Sequence, residues 1–244
     1  MVRYESRCIP GAIKMFARYS LSAAPEAVAD RFSVDVPKAY QPMFNAAPTH
    51  LLPVITNDSS SGLSFFYWGT SPLWANKKSV GEKIINARIE TLEEKPVLRK
   101  KLRDHRCLIP ADGFYAWKRT GKKTSIPYRF VTQDKEMFSM AGLWEEYEDE
   151  SNEIHHTFSV ITRPADSNVS MIDERMPVIL DPKNEREWIT EADEPFLMTQ
   201  LKAYHPTLEH YSVSSLVNQP DRNSRLIIMP APAADQFGNL SLFD

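Results

Sequence analysis

Few places in this chain combine residue types that could do chemistry. In IINARIET, residues 84–91, Asn86 and Arg88 stand two apart, and on an extended segment they share one side because successive side chains alternate. An amide that donates and accepts, next to a forked guanidinium, suits a nucleotide or phosphate; it would equally brace a loop. IPADGFYAWKR, residues 109–119, has the form of an active-site strand, with an Asp-Gly turn, three aromatics within four residues and a basic exit, but Ala116 stands at its centre. Cys107 lies in an apolar strand-like run and reads as a core residue. Cys8 has only Arg7 nearby to lower its pKa, which favours a passive thiol over a reactive one.

Absences narrow the field further. There is no G-x-S-x-G, no Walker loop and no G-x-G-x-x-G, and with eight glycines a phosphate-cradling loop is not expected. Six histidines include the neighbours His155 and His156 and the pair His205 and His210, but no H-E-x-x-H, so neither a metal nor a cofactor is expected. Two cysteines without a C-x-x-C suit a reducing compartment, and the N-terminus lacks the apolar core of a signal peptide, so the cytoplasm is expected. The longest apolar runs are too short to span a bilayer.

A net charge of −3 leaves nucleic-acid affinity to a local patch. Residues 86–123 carry eleven Lys and Arg against five Asp and Glu, with aromatics interleaved. That mixture suits base stacking beside phosphate contacts, and it also suits an ordinary solvated face. The acidic WEEYEDESNE at 144–153 reads as a solvated surface loop.

The elements that must position these residues are mostly short strands rich in β-branched and aromatic side chains. They are predicted at 51–55, 63–68, 114–117, 128–132, 137–144, 157–162, 210–217 and 225–229, with DSSSG at 58–62 as a hairpin loop. Helices are predicted over 23–32 with Ser22 as cap, and over 96–105 behind a Thr91–Glu94 capping box or starting at Pro96. Two more are predicted from Asp181 and over 194–204. No βαβ rhythm appears, so the fold class is α+β, a mainly antiparallel sheet with a barrel-like core and peripheral helices.

Several segments in order now resemble one family, the SOS response-associated peptidase (SRAP) proteins that process abasic sites. They are FARYSLS at 16–22, FNAAPTH at 44–50, YWGTSPLW at 67–74, INARIET, CLIPADGFYAWK at 107–118, SVITRPAD at 159–166, RMPVIL at 175–180 and SSLVNQPDRNSRLIIMP at 214–230. The resemblance implies one domain over 15–244 behind a fourteen-residue N-terminal extension, and single-stranded or abasic-site DNA as partner. It also implies a crosslink made by an N-terminal cysteine, whose amine condenses with the sugar aldehyde and whose thiolate closes a thiazolidine. A glutamate and a histidine assist the proton transfers, and an asparagine holds the sugar.

At the family's cysteine this chain has Phe16, at its glutamate Ala116, and at its histidine Asp173, two residues before Arg175. An aspartate does not replace an imidazole as a general acid near neutral pH unless burial raises its pKa by several units. Asn86 is retained, as are Arg18, Asn45, Trp74, Arg88, Thr162 and Arg175, which by resemblance line the DNA groove or support the site. Three readings follow. The chain binds single-stranded DNA in the DNA damage response with its crosslinking chemistry impaired; it is an active crosslinking or lyase enzyme using the Val2 amine or Cys8; or it is a scaffold or regulatory pseudoenzyme without a DNA role.

Overall fold

Side chains along RCLIPA, residues 106–111, point alternately into two apolar layers, and the architecture follows from that alternation. The computed structural model describes residues 16–69, 85–148, 152–191 and 193–240. In chain order come β1 (Tyr19–Leu21), α1 (Pro25–Phe32), β2 (Met43–Ala46), β3 (Leu51–Thr56), β4 (Ser64–Trp68) and β5 (Asn86–Arg88). Then follow α2 (Ile89–Glu94), α3 (Pro96–Asp104), β6 (Arg106–Ala111), β7 (Gly113–Arg119) and β8 (Ser125–Thr132). The long β9 (Phe138–Glu148) and β10 (Ile154–Pro164) precede α4 (Ser167–Ser170), β11 (Arg175–Pro177), α5 (Glu185–Thr190), α6 (Glu194–Ala203) and β12 (Leu208–Ser212).

Strands β10, β4, β3, β6 and β9 close on themselves through the β9–β10 pairing, with one parallel seam between β4 and β10. Closure removes the edges that an open sheet would leave unpaired. Strand β10 is long enough to carry β5 and β11 as well. An antiparallel five-stranded sheet, in the order β12-β8-β7-β1-β2, packs against this barrel. The fold is therefore α+β, mainly antiparallel, with a barrel at its centre and helices at the periphery.

Cys107 and Ile109 face the layer shared with Phe114 and Phe130, whereas Leu108 faces the layer shared with Trp188, Leu197 and Leu201 of the helices. Strand β9 alternates in the same way, Met140 and Trp144 against Ala141 and Leu143. Gly142 is required where it stands, because a Cβ there would lie 2.6 Å from Ile109 and 2.7 Å from the Cys107 sulfur. Arg106 is 2% exposed, and its side-chain hydrogen bonds among the described residues go to backbone carbonyls. Its guanidinium donates to the carbonyls of Leu102 and Arg103 at the end of α3, and to those of Trp188 and Glu191 at the end of α5. It thereby satisfies carbonyls that helix ends leave open and ties both helices to the barrel.

Some local expectations give way to tertiary context. Helix α1 begins at Pro25 without a side-chain cap, because the Ser22 amide and hydroxyl are both drawn to the Asp112 carboxylate. Thr91 lies inside α2, and α3 starts at Pro96. Asp181 shapes the turn ahead of α5, whose N-cap is Asn184. The strand expected over 225–229 is a 3-10 turn, Arg225–Ile228, in which the Ser224 hydroxyl accepts from the Leu226 amide. The strand expected over 210–217 stops at Ser212 for a similar reason, since the Ser214 hydroxyl accepts from the Leu216 amide.

Candidate functional site

Phe16 enters β1 from the N-terminal side and is 5% exposed. Its ring lies 5.6 Å from Trp68 and 6.0 Å from Phe114, centroid to centroid. The Trp68 indole donates to the Ile85 carbonyl at 2.8 Å, which sets the start of β5 beside this cluster. One residue on, the Asn86 side-chain amide donates to the Phe16 carbonyl at 2.7 Å. The Asn86 side-chain oxygen, Oδ1, is buried and has no partner among the described residues. Phe16 and Asn86 are thus brought together, on a backbone carbonyl rather than on a nucleophile.

Ala116 is 3% exposed and belongs to the same apolar layer, opposite Tyr128 on β8. Tyr115 faces the other way, against Val213, Val217 and Ile227, and donates to the Phe44 carbonyl at 2.7 Å. The Asp-Gly turn before them is structural. The Asp112 carboxylate accepts from the hydroxyls of Ser20 and Ser22, each at 2.6 Å, and from Arg129 at 2.8 Å. Gly113 leaves room for that guanidinium, since a Cβ would come within 2.7 Å of it. Asp173 is half-buried, and its carboxylate accepts from the Glu174 amide at 2.7 Å.

The retained residues divide by exposure. Asn45 is wholly buried and spends its amide on the carbonyls of Val217, Gln219 and Arg222, so its side-chain nitrogen is engaged within the fold. Thr162 is 2% exposed and lies on β10 between Arg88 of β5 and Pro177 of β11. Arg175 donates both terminal nitrogens to Glu90, at 2.8 and 3.0 Å, and one of them also to the Thr162 carbonyl at 2.8 Å. Arg88 is exposed and makes no ion pair with any described residue. Arg18 is half-buried, with one terminal nitrogen on the Ala17 carbonyl at 2.8 Å. Trp74, Val2 and Cys8 lie outside the described residues.

The basic run 86–123 does not form one cationic face. On α3, Arg99 pairs with Glu194, Lys101 with Glu145 and Arg103 with Asp104, while Arg106 is buried. Cys107 is wholly buried, and burial pushes its thiol pKa up, which removes it as a nucleophile. Among the described residues no group of three or more His, Cys, Asp or Glu is arranged to hold a metal ion. No helix among them is long and apolar enough to cross a membrane.

Two residues that sequence reasoning passed over belong here. His50 sits in the turn 47–50, where Thr49 adopts φ 74°, an uncommon conformation for a β-branched residue. Its carbonyl accepts from the Trp68 amide at 3.0 Å, so the turn is pinned to the indole that packs on Phe16. Burial, and then the Arg18 cation, lower the His50 pKa, with Asp221 opposing them. Glu90 is the second; the Arg175 hydrogen bond holds its carboxyl below the usual range. Both lie within the quoted segments FNAAPTH and INARIET, but nothing in the sequence marks which charges meet.

Residues 15–220 match the model of the family described as SOS response associated peptidase (SRAP). The abasic site processing protein YoqW of Bacillus subtilis is 39% identical over 221 residues, covering 88% of this chain and 99% of that protein. Its counterpart YoaM from the same organism is 39% identical over 217 residues, covering 86% and 96%. A crystal structure of a Bacteroides thetaiotaomicron protein is similar with a TM-score of 0.75 at 28% identity, covering 88% of this chain and 99% of that one. With its family segments, its barrel and this match over most of its length, the chain belongs to the SRAP family.

Proposed function

We propose that this protein acts in the DNA damage response by binding single-stranded DNA, abasic-site DNA included, and that it does so without the thiazolidine crosslink. The observation that carries the reading is the filled pocket. At the position where the family's nucleophile is expected stands Phe16, buried against Trp68 and Phe114, and the expected carboxylate is Ala116 in the same apolar layer. Neither side chain can attack an aldehyde or move a proton. Exposed Arg88, with Arg175 bonded to the Thr162 carbonyl on the strand that pairs with β5, supports retention of a phosphate-binding edge, and similarity to proteins named for abasic-site processing supports DNA as the partner. We further propose a cytoplasmic protein with one domain over 15–244 and residues 1–14 as an appendage. In support, one apolar layer joins Phe16 to Leu208.

The test is incubation with a single-stranded oligonucleotide bearing one abasic site, read on native and denaturing gels in parallel, with borohydride added to one arm. A native complex that disappears on denaturation is the expected result. A band that survives denaturation, with or without borohydride, would overturn the non-covalent reading and direct attention to the Val2 amine or Cys8. Absence of any complex at low salt would overturn the DNA role.

A further inference from the structure

We propose that Glu90 is an internal competitor for Arg175, its carboxylate occupying the fork that would receive a phosphate of a bound strand, so that binding proceeds by exchange of one anion for another. The inference rests on the strand-binding reading above and adds a gate to it. A guanidinium presents the same two-pronged geometry to a carboxylate and to a phosphate, so one arginine serves either ligand but not both at once. Arg175 gives Glu90 that complete fork, two bonds of 2.8 and 3.0 Å.

The two partners are anchored very unequally. The Arg175 side chain is 13% exposed and is also held by the Thr162 carbonyl, on the strand to which β11 is paired. The Glu90 side chain is 44% exposed and projects from the first turn of the six-residue helix α2. The arginine is fixed in the framework, and the acid is the member that can swing into water.

Local charge favours an incoming anion. Thr162 of β10 is flanked by Arg88 on one side and by the β11 strand that carries Arg175 on the other. Two arginines therefore stand near the end of β10, with Glu90 bonded to Arg175 and only within the electrostatic reach of Arg88, which remains exposed. An arriving phosphodiester meets Arg88 first and then displaces Glu90 from Arg175.

The measurement is fluorescence anisotropy of a labelled oligothymidylate with the full chain at fixed low salt, comparing wild type, Glu90→Gln, Glu90→Ala, Arg175→Gln and Glu90→Gln/Arg175→Gln. Both single Glu90 variants should bind about two- to fivefold tighter, the size of one partly exposed ion pair. The gain should vanish in the double variant. Wild type that binds while both Glu90 variants bind equally or more weakly would overturn the gate, because Glu90 would then be positioning Arg175 for its ligand. Failure of wild type and every variant to bind would overturn the strand-binding reading itself, and the gate with it. Circular dichroism on each variant separates loss of binding from loss of fold.

Discussion

The side-chain amide of Asn86 donates a 2.7 Å hydrogen bond to the backbone carbonyl of Phe16, while the Phe16 ring is locked between Trp68 and Phe114. The asparagine therefore holds the chain at the residue whose ring is buried between two aromatics. Phe16→Ala should destabilise the protein by about 3–5 kcal/mol, the usual cost of emptying a packed aromatic site. Asn86→Ala should cost about 1 kcal/mol, one net hydrogen bond. Urea unfolding measures both, and a Phe16→Ala loss under about 1 kcal/mol would show that the ring is not a packing element.

The pair Asp112 and Arg129 gives the Asp-Gly turn a structural part in the fold. Their side chains are 13% and 8% exposed, and their contact closes a network with Ser20 and Ser22. Removing one charge strands the other, so Asp112→Ala and Arg129→Met should each cost about 3–5 kcal/mol. The double variant should lose clearly less than the two single losses together. Additive losses in a double-mutant cycle would show that the two charges do not depend on each other.

His50 gives stability a pH dependence whose sign can be worked out. Burial beside Arg18 lowers its folded-state pKa below the ordinary 6.5, so the unfolded chain takes the proton more readily. Its contribution is fully present above about pH 6.5 and is lost as the pH falls from there through the lowered folded value. The melting temperature should therefore drop between pH 7.5 and 5, and His50→Gln should flatten part of that slope. An identical slope in both proteins would remove His50 as its source.

Arg88 is the cation best placed to meet a strand. Arg88→Gln should weaken oligonucleotide binding and lower the magnitude of the log–log salt slope by about 0.7, one phosphate contact on a single strand. Arg103→Gln, at a position already paired with Asp104, should change the slope far less. Equal changes in the two variants would mean that binding is spread over the basic surface and not directed at the β5 edge.

Much of this protein could be read from its residues alone. Alternating apolar strands require two buried layers, so MFSMAGLW at 137–144 marks β9, and the order of the family segments identifies the SRAP fold. That Phe16, Ala116 and Asp173 stand where the resemblance leads one to expect a cysteine, a glutamate and a histidine is an expectation that needs no coordinates, because it concerns what a side chain can do and not where it lies. Tertiary structure decided the pairings. Whether Asn45 pins the 217–222 segment, whether Arg175 is free or bound to Glu90, and whether Asp112 meets Ser20 all depend on contacts across more than eighty residues. Local pattern carries burial and element type, since both arise from neighbours along the chain. Ion pairs form between groups that only the folded barrel brings within a few ångströms, and the run at 225–229 shows the same limit in the backbone, where a serine hydroxyl turned an apolar strand pattern into a 3-10 turn.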